Sequence, residues 1–181
     1  MAREYFEEFN IEKCINSVLY VTHKLERKDF HKIFKILYFA DRNHISEYGR
    51  SITGDTYIAM DDGPVPSNLY DILKSVRGDS FFKDNGRFSI IFSVAHWNLL
   101  TPLIEADAKK LSNTDIKHLD QSLSDFGKMS WDEIREKSHD YAWRSTVKNR
   151  PILLDNIIIE TGNDEQYVDY LKEQMRLAKS F

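Results

Sequence analysis

Charged residues, prolines and glycines interrupt an apolar pattern in residues 37–74, LYFADRNHISEYGRSITGDTYIAMDDGPVPSNLYDILK. At 3.6 residues per turn, a helix entering this segment carries aromatic and ionisable side chains on one narrow stripe. The stripe consists of Phe30, Phe34, Leu37, Asp41, His44 and Tyr48. A buried carboxylate is costly unless it is hydrogen-bonded or paired. We therefore predict that Asp41 and His44 either hold a neighbouring segment in place or take part in chemistry.

The composition limits the classes of protein to which the chain can belong. Its 181 residues suit one domain with a proper core, and 41% hydrophobic with 13% aromatic residues is ordinary for a globular protein. The net charge of −4 gives no overall attraction to phosphate backbones, so nucleic acid is an unfavoured partner. One cysteine, Cys14, excludes an intrachain disulfide framework and a multi-cysteine zinc site.

The N-terminal sequence MAREYFEEFN is acidic and has no apolar centre, unlike a signal peptide. No run of residues approaches 18 apolar positions, so we expect no membrane span. A soluble, cytoplasmic protein is therefore expected.

Capping residues and helical periodicity predict the first elements. One helix is expected from Ile11 to near Lys28, and a second from an N-cap at Asp29 to about Tyr48, with Gly49 left-handed after its end. A turn and a short strand ending at Met60 follow. The GPVP run, 63–66, is predicted to be a stiff loop, and Ser67 to cap a helix closed by Gly78.

Later segments add strands and short helices. A hairpin is predicted over 81–92 around the turn 84–86, with a third strand over 97–104. Capping pairs at 112/115 and 130/133 predict two helices in a helix-turn-helix-like arrangement, and a strand is expected in 157–160 before a last helix. The sequence thus predicts an α+β fold: a helix-rich single domain with a small antiparallel sheet.

The order of motifs resembles a known family. YFADRNH ends a helix, YGR and the turn TGD follow, and then come YIAM and GPVPSNLYDILK. This order resembles the Panacea domain of the SocA-like antitoxin family. The similarity is strong from about Lys35 to Lys74 and continues more weakly to Trp143. Residues 1–181 are interpreted as one such domain, with a recognisable core at about 30–145 and a C-terminal strand and helix extension at 151–181.

The resemblance implies a non-catalytic antitoxin that neutralises a co-encoded toxin by direct contact. In some relatives this role extends to a chaperone or to an adaptor for a protease, so the expected partners are a cognate toxin and, in the adaptor role, a protease. No cofactor, metal or catalytic residue is expected. The resemblance and the residue patterns together assign a set of positions to the scaffold or to partner binding. These are Tyr38, Asp41, His44, Tyr48, Gly49, Arg50, Thr53, Asp55, Tyr57, Gly63, Pro64, Val65, Tyr70, His139 and Trp143.

Two other functions stay open at this stage. Asp41 and His44 lie three apart on a helix and could bind a metal together with His139, Asp140 or Asp55, as in a metal-dependent hydrolase. The bland interpretation is that the Asp41 carboxylate accepts hydrogen bonds from loop amides in the segment GRSITGD. The helix pair at 112–139 could instead serve a transcriptional regulator, although its second helix is acidic.

Aromatic residues near both ends are candidate anchors for a protein partner. Tyr5, Phe6 and Phe9 precede the first helix, and Tyr167 and Tyr170 lie on the last one.

Overall fold

Helices make up most of this protein, whose computed structural model describes residues 8–178. Tyr5 and Phe6 lie outside this range. Within it, the α-helices are α1 Ile11–Lys24, α2 Phe30–Tyr48, α3 Ser67–Arg77, α4 Asn113–Phe126, α5 Trp131–Ser138, α6 Tyr141–Arg144, α7 Leu154–Glu160 and α8 Glu165–Ala178. A short 3₁₀ turn, Ala108–Lys110, precedes α4.

Four short strands form two separate antiparallel pairs. The strands are β1 Tyr57–Met60, β2 Gly63–Pro66, β3 Phe92–Ala95 and β4 Leu99–Pro102. β1 pairs with β2, and β3 pairs with β4. The helix-rich α+β class predicted from the sequence is confirmed, but the strands do not join into one sheet.

Helix α2 is the centre of the fold. It packs against α1, α4, α5, α7 and β2, and most of its side chains are buried on every side. As predicted, Asp29 caps its start by accepting from the Lys32 amide, and Gly49 ends it with φ of 70°. The first helix is shorter than predicted: it ends at Lys24 because Leu25 adopts an extended conformation.

The GPVP run is a strand, so the expectation of a loop is wrong. Prolines cannot donate to a ladder, but antiparallel pairing needs a donor only at every second residue. At Tyr57 and Ala59 the backbone groups of β1 point away from β2 and bond to the 150–152 segment. The Ala59 amide donates to the Arg150 carbonyl, and the Tyr57 carbonyl accepts from the Ile152 amide. Pro64 and Pro66 lie opposite Ala59 and Tyr57, where β2 needs no N–H.

The hairpin predicted over 81–92 is also wrong. Asp84 instead closes a compact turn by accepting the amides of Gly86, Phe88 and Ser89. The hairpin that forms is β3–β4, which begins where the predicted one ends and has its turn at His96 and Trp97.

The strand expected in 157–160 is a helix, α7. Its buried residues Leu154, Ile157 and Ile158 recur at helical spacing and face the interior. Both predicted capping boxes, at the starts of α4 and α5, are confirmed. The last helix is confirmed too, with Val168 and Leu171 buried.

Candidate functional site

The Asp41 carboxylate is buried in the middle of α2 and is fully hydrogen-bonded. Its Oδ1 accepts from the amides of Ile52 and Thr53 at 2.7 and 3.1 Å, and its Oδ2 accepts from the hydroxyls of Thr53 and Tyr57 at 2.6 and 2.7 Å. Burial raises the pKa of Asp41 to about 6, although these four bonds oppose the rise. The predicted acceptance of loop amides is confirmed. Asp41 thereby fixes the 51–57 segment against α2.

Asp55 performs the same role for α3. Its two carboxylate oxygens accept the backbone amides of Asn68 and Leu69 at 3.0 and 2.9 Å, and Oδ1 also accepts the Asn68 side-chain amide. Burial raises the pKa of this carboxyl against those bonds. The predicted cap, Ser67, is instead the first residue of the helix, which begins without a cap from its own N-terminal neighbours. The first turn of α3 is therefore capped by a side chain that lies 13 and 14 residues before the amides it accepts.

His44 joins α2 to the start of α4. Its Nδ1 donates to the Arg50 carbonyl at 2.8 Å, and its Nε2 lies 3.0 Å from the Thr114 hydroxyl and 3.3 Å from the Asp115 carboxylate. Arg50 and Lys13 also pair with Asp115, at 3.1 and 2.6 Å. Burial opposes it, but the bonds from His44 and Lys13 hold the pKa of Asp115 well below its usual range. The cluster is an electrostatic joint between three elements.

A third polar cluster surrounds Asp140. Its carboxylate accepts from the Tyr38 hydroxyl at 2.8 Å and from Arg42 at 3.1 Å, and it caps α6 through the Trp143 amide. His139 ends α5 and stacks on the Trp143 indole, with ring centroids 3.7 Å apart. Burial lowers the pKa of this imidazole. These contacts agree with the expectation that His139 anchors a helix end.

The metal-binding alternative finds no support in this geometry. The four lone pairs of Asp41 are occupied by four donors, and His44 and His139 belong to other clusters. Across residues 8–178, no three His, Cys, Asp or Glu side chains converge on a point where an ion could bind. Asp41 and His44 therefore act as structural ties in this fold.

The helix pair at 112–139 is also poorly suited to a DNA groove. Helix α4 lies along α2 and buries one side against it. The exposed side of α5 carries three acidic residues, Asp132, Glu133 and Glu136. They line a hollow together with Asp140 and Glu160, and its two basic residues, Lys137 and Arg144, leave it with an excess of carboxylates. Such a surface lacks the excess of basic side chains that attracts a phosphate backbone.

Most residues assigned to the scaffold or to partner binding are inside the protein. Tyr38, His44, Thr53 and Tyr57 are at most 3% exposed. Gly63 has φ of 100°, and a Cβ there would collide with Ser138 Oγ and approach Lys35 Cε at 2.8 Å. The members of the set that are not buried are partly exposed, and Tyr48 is exposed at 42%. The polar part of the motif thus builds the interior.

An open groove lies beside these ties, and we call it the aromatic groove. Its volume is about 370 Å³, and six of its lining residues are aromatic or basic side chains from α2, α3 and the β3–β4 turn. These are Phe30, Phe34, Lys35, Tyr70, Arg77 and Trp97. Val65 also lines it, so two of the assigned residues, Val65 and Tyr70, belong to this surface. Its aromatic and aliphatic side chains alternate with polar ones, and its size is typical of sites that receive a side chain or a small ligand.

Trp97 stands at the edge of the groove in an unusual conformation. Its φ is 71°, which a bulky L-residue rarely adopts, and its side chain is 72% exposed. Arg77 holds it there: the guanidinium donates to the Trp97 carbonyl at 2.6 Å and lies 4.6 Å from the indole centroid. The protein thus holds a large aromatic ring in solvent on a strained backbone.

Sequence reasoning missed Lys35, Arg77 and Trp97. The groove brings together α2, α3 and two strand turns, and no local pattern reports such an assembly. One signal was present: Lys35 interrupts the apolar residues of a helix that is buried all round.

The comparisons with known proteins give one match. A sequence model of the family described as Antitoxin SocA-like, Panacea domain, matches residues 33–144. The matched range begins in α2, ends with α6 and covers more than half of the chain. Neither the curated proteins nor the solved structures gave a match. Separately, no helix within residues 8–178 combines the length and apolar character needed to cross a bilayer.

Proposed function

The chain belongs to the family of SocA-like antitoxins with a Panacea domain, and from this premise we propose that it neutralises a toxin encoded beside it by binding that toxin directly. Neutralisation is stoichiometric and involves no turnover. The toxin is either masked after folding or held while it folds.

One structural observation supports this proposal above the others. The ionisable residues of the motif are consumed in internal hydrogen bonds, as Asp41 shows with its four donors. A reacting centre needs a nucleophile, acid or base that faces a substrate. The polar residues of the 37–74 segment hold the fold rigid, and the aromatic groove beside them offers apolar surface for binding. That division suits a binding protein better than an enzyme.

The aromatic groove is the surface that we assign to the toxin. Aromatic rings and arginine dominate the energetics of protein interfaces. Trp97 supplies an exposed ring at the rim, supported by the largely buried Arg77. Phe34 and Tyr70 meet edge to face in the wall, with centroids 5.7 Å apart. The ties at Asp41 and Asp55 hold the elements on either side of this wall, so little order has to be gained on binding.

Co-expression with the neighbouring reading frame tests the proposal. We expect that the neighbour alone arrests growth, that this chain restores growth, and that the two proteins co-purify. A version of the gene with an early stop codon is the control, because rescue by that version would assign the effect to RNA. Rescue by the protein without a stable complex would contradict direct masking and favour a protease adaptor. A harmless neighbour would remove the partner and overturn the proposal.

A further inference from the structure

Lys35 is a buried cation that lacks enough partners. The residue is 1% exposed, and its amine donates to the Pro64 carbonyl at 2.9 Å. Within residues 8–178, that carbonyl is the only hydrogen-bond acceptor of this amine. An ammonium group has three N–H donors, so two of them are left without an acceptor. Leaving donors unpaired in a buried site is costly.

A second buried lysine on the same helix shows the contrast. Lys32 lies one turn earlier, is 0% exposed, and donates to the carbonyls of both Phe126 and Met129. Lys32 is not among the lining residues of the aromatic groove, whereas Lys35 is. The lysine with fewer acceptors is therefore the one that lines the groove.

The charges around Lys35 do not neutralise it. Two carboxylates of the β1–β2 turn, Asp61 and Asp62, also line the groove, and Arg135 faces Lys35 from α5. Asp62 pairs with Arg135 at 2.9 Å and Asp61 with Lys148 at 2.5 Å, so both carboxylates already have a cation. The charge of Lys35 also contributes to lowering the pKa of the His31 and His139 imidazoles, after desolvation by burial. Desolvation lowers the pKa of Lys35 to about 7, which agrees with a cation that has no counter-charge of its own.

The other cation of the groove is already occupied. Arg77 binds both carboxylate oxygens of Asp79, at 2.8 and 2.6 Å, and donates its remaining terminal nitrogen to the Trp97 carbonyl. Three of the five N–H donors of Arg77 are thus used and its charge is paired with Asp79, whereas Lys35 has no carboxylate of residues 8–178 within ion-pair distance.

We infer that the aromatic groove binds a segment of the toxin in which an aromatic or long aliphatic side chain stands beside a carboxylate, and that Lys35 receives the carboxylate. The rings of Phe34, Tyr70 and Trp97 contact the apolar part. The carboxylate supplies both the missing acceptor and the missing counter-charge, a pairing that is strong when water is excluded. This inference deepens the proposed function, since it rests on that function for the identity of the partner.

A small-molecule probe tests the site without any toxin. The probe is 3-phenylpropionate, and its uncharged analogue 3-phenylpropanamide is the comparison. We expect the acid to bind with a dissociation constant in the millimolar range at pH 7, at least tenfold more tightly than the amide. Shifts of the Trp97 indole N–H resonance in NMR spectra report binding. Saturation with the acid should also raise the pKa of Lys35, followed through its Cε resonances.

Two matched variants locate the effect. Lys35→Met keeps an unbranched side chain that is one atom shorter and removes its charge, and we expect it to reduce binding of the acid to the level of the amide. Lys32→Met removes a buried charge outside the groove and should leave the tenfold preference intact. Thermal melting of both variants verifies that they are folded. The inference is overturned by equal binding of acid and amide, by binding of neither, or by an unchanged preference in Lys35→Met.

Co-expression connects the site to the toxin. If the unmodified chain and Lys32→Met rescue growth and Lys35→Met does not, the toxin uses this site. If all three rescue equally, the inference fails and the proposed function stands. If the unmodified chain itself does not rescue, the proposed function fails, whatever the probe shows.

Discussion

The Tyr57 hydroxyl donates to the Asp41 carboxylate at 2.7 Å, and both residues are almost entirely buried. The bond joins the first residue of β1 to the middle of α2, sixteen residues earlier. It also brings the two rings of Tyr38 and Tyr57 together, edge to face, with centroids 5.1 Å apart. Hydrogen bonds to a charged, buried acceptor are among the stronger ones in proteins. The pair is therefore a main tie between the strand and the central helix.

Removing this hydroxyl should destabilise the protein measurably. We expect Tyr57→Phe to lower the free energy of unfolding by about 2 kcal/mol, because Asp41 would stay buried with one donor fewer. Urea unfolding at pH 7.5 measures the change. Tyr48→Phe is the control, since the Tyr48 hydroxyl donates to Glu47 on an exposed surface. Equal losses in both variants would show that the buried bond has no special weight.

Asp55 rather than Ser67 should prove to be the cap of α3. We expect Asp55→Ala to cost about 1 to 2 kcal/mol, in the range of lost helix caps, and Ser67→Ala to cost under about 0.5 kcal/mol. Hydrogen exchange adds a local readout, because the amides of Asn68 and Leu69 donate to Asp55 and should lose protection only in Asp55→Ala. A larger loss in Ser67→Ala would restore the cap expected from the sequence.

The elements that could be predicted from the sequence are those defined by local chemistry. Asp29 and Gly49 mark the ends of α2, and the capping boxes mark α4 and α5, because each signal lies within four residues of the group it satisfies. The ties of Asp41 could be anticipated for a similar reason. An ionisable residue on a buried stripe must find partners, and the next loop offers free amides.

The features that sequence analysis missed depend on distant partners. The prolines of β2 fit a strand because the β1 residues opposite them, Tyr57 and Ala59, bond to the 149–152 segment and need no donor from β2. The isoleucines of α7 favour a strand by propensity, but packing against α2 and α6 decides for a helix. The aromatic groove has no local signature at all. Lys35 stands out only once the walls around it are known.

Trp97 should matter for binding far more than for stability. In Trp97→Gly the strain at φ of 71° is relieved while the contact with Arg77 is lost, and each effect is worth about 1 kcal/mol. We therefore expect the free energy of unfolding to change by less than about 1 kcal/mol. Binding of the toxin should weaken by about 30-fold or more, as for a central aromatic anchor.

The matched control for this prediction is Phe81→Ala. Phe81 is fully exposed and is not among the residues that line the groove. The Phe81→Ala substitution should leave both the free energy of unfolding and toxin binding unchanged. If Phe81→Ala weakened the complex and Trp97→Gly did not, the toxin would meet the 79–91 segment and the groove assignment would be wrong.

Lys35 should make the stability of the protein depend on pH in a defined direction. Its pKa is about 7 in the folded state and about 10.4 in the unfolded chain, so the unfolded chain binds more protons between these values. The contribution of Lys35 to the free energy of unfolding therefore rises with pH across this window, and it is least favourable below about pH 7. Lys35→Met removes the dependence. We expect the stability advantage of the variant to shrink by about 3 kcal/mol between pH 7 and pH 10.

Comparison with other lysines separates this effect from general titration of the chain. Burial lowers the pKa of Lys32 to about 8. The difference in free energy of unfolding between Lys32→Met and the unmodified protein should therefore change at a higher pH than for Lys35→Met, and by a smaller amount. Lys83 is exposed, and Lys83→Met should give a profile parallel to that of the unmodified protein. Urea unfolding at half-unit intervals from pH 6 to pH 10 resolves the three curves. A Lys35→Met curve parallel to the Lys83→Met curve would mean that the amine already has a partner in solution, and the aromatic groove would then have no free cation to offer a toxin.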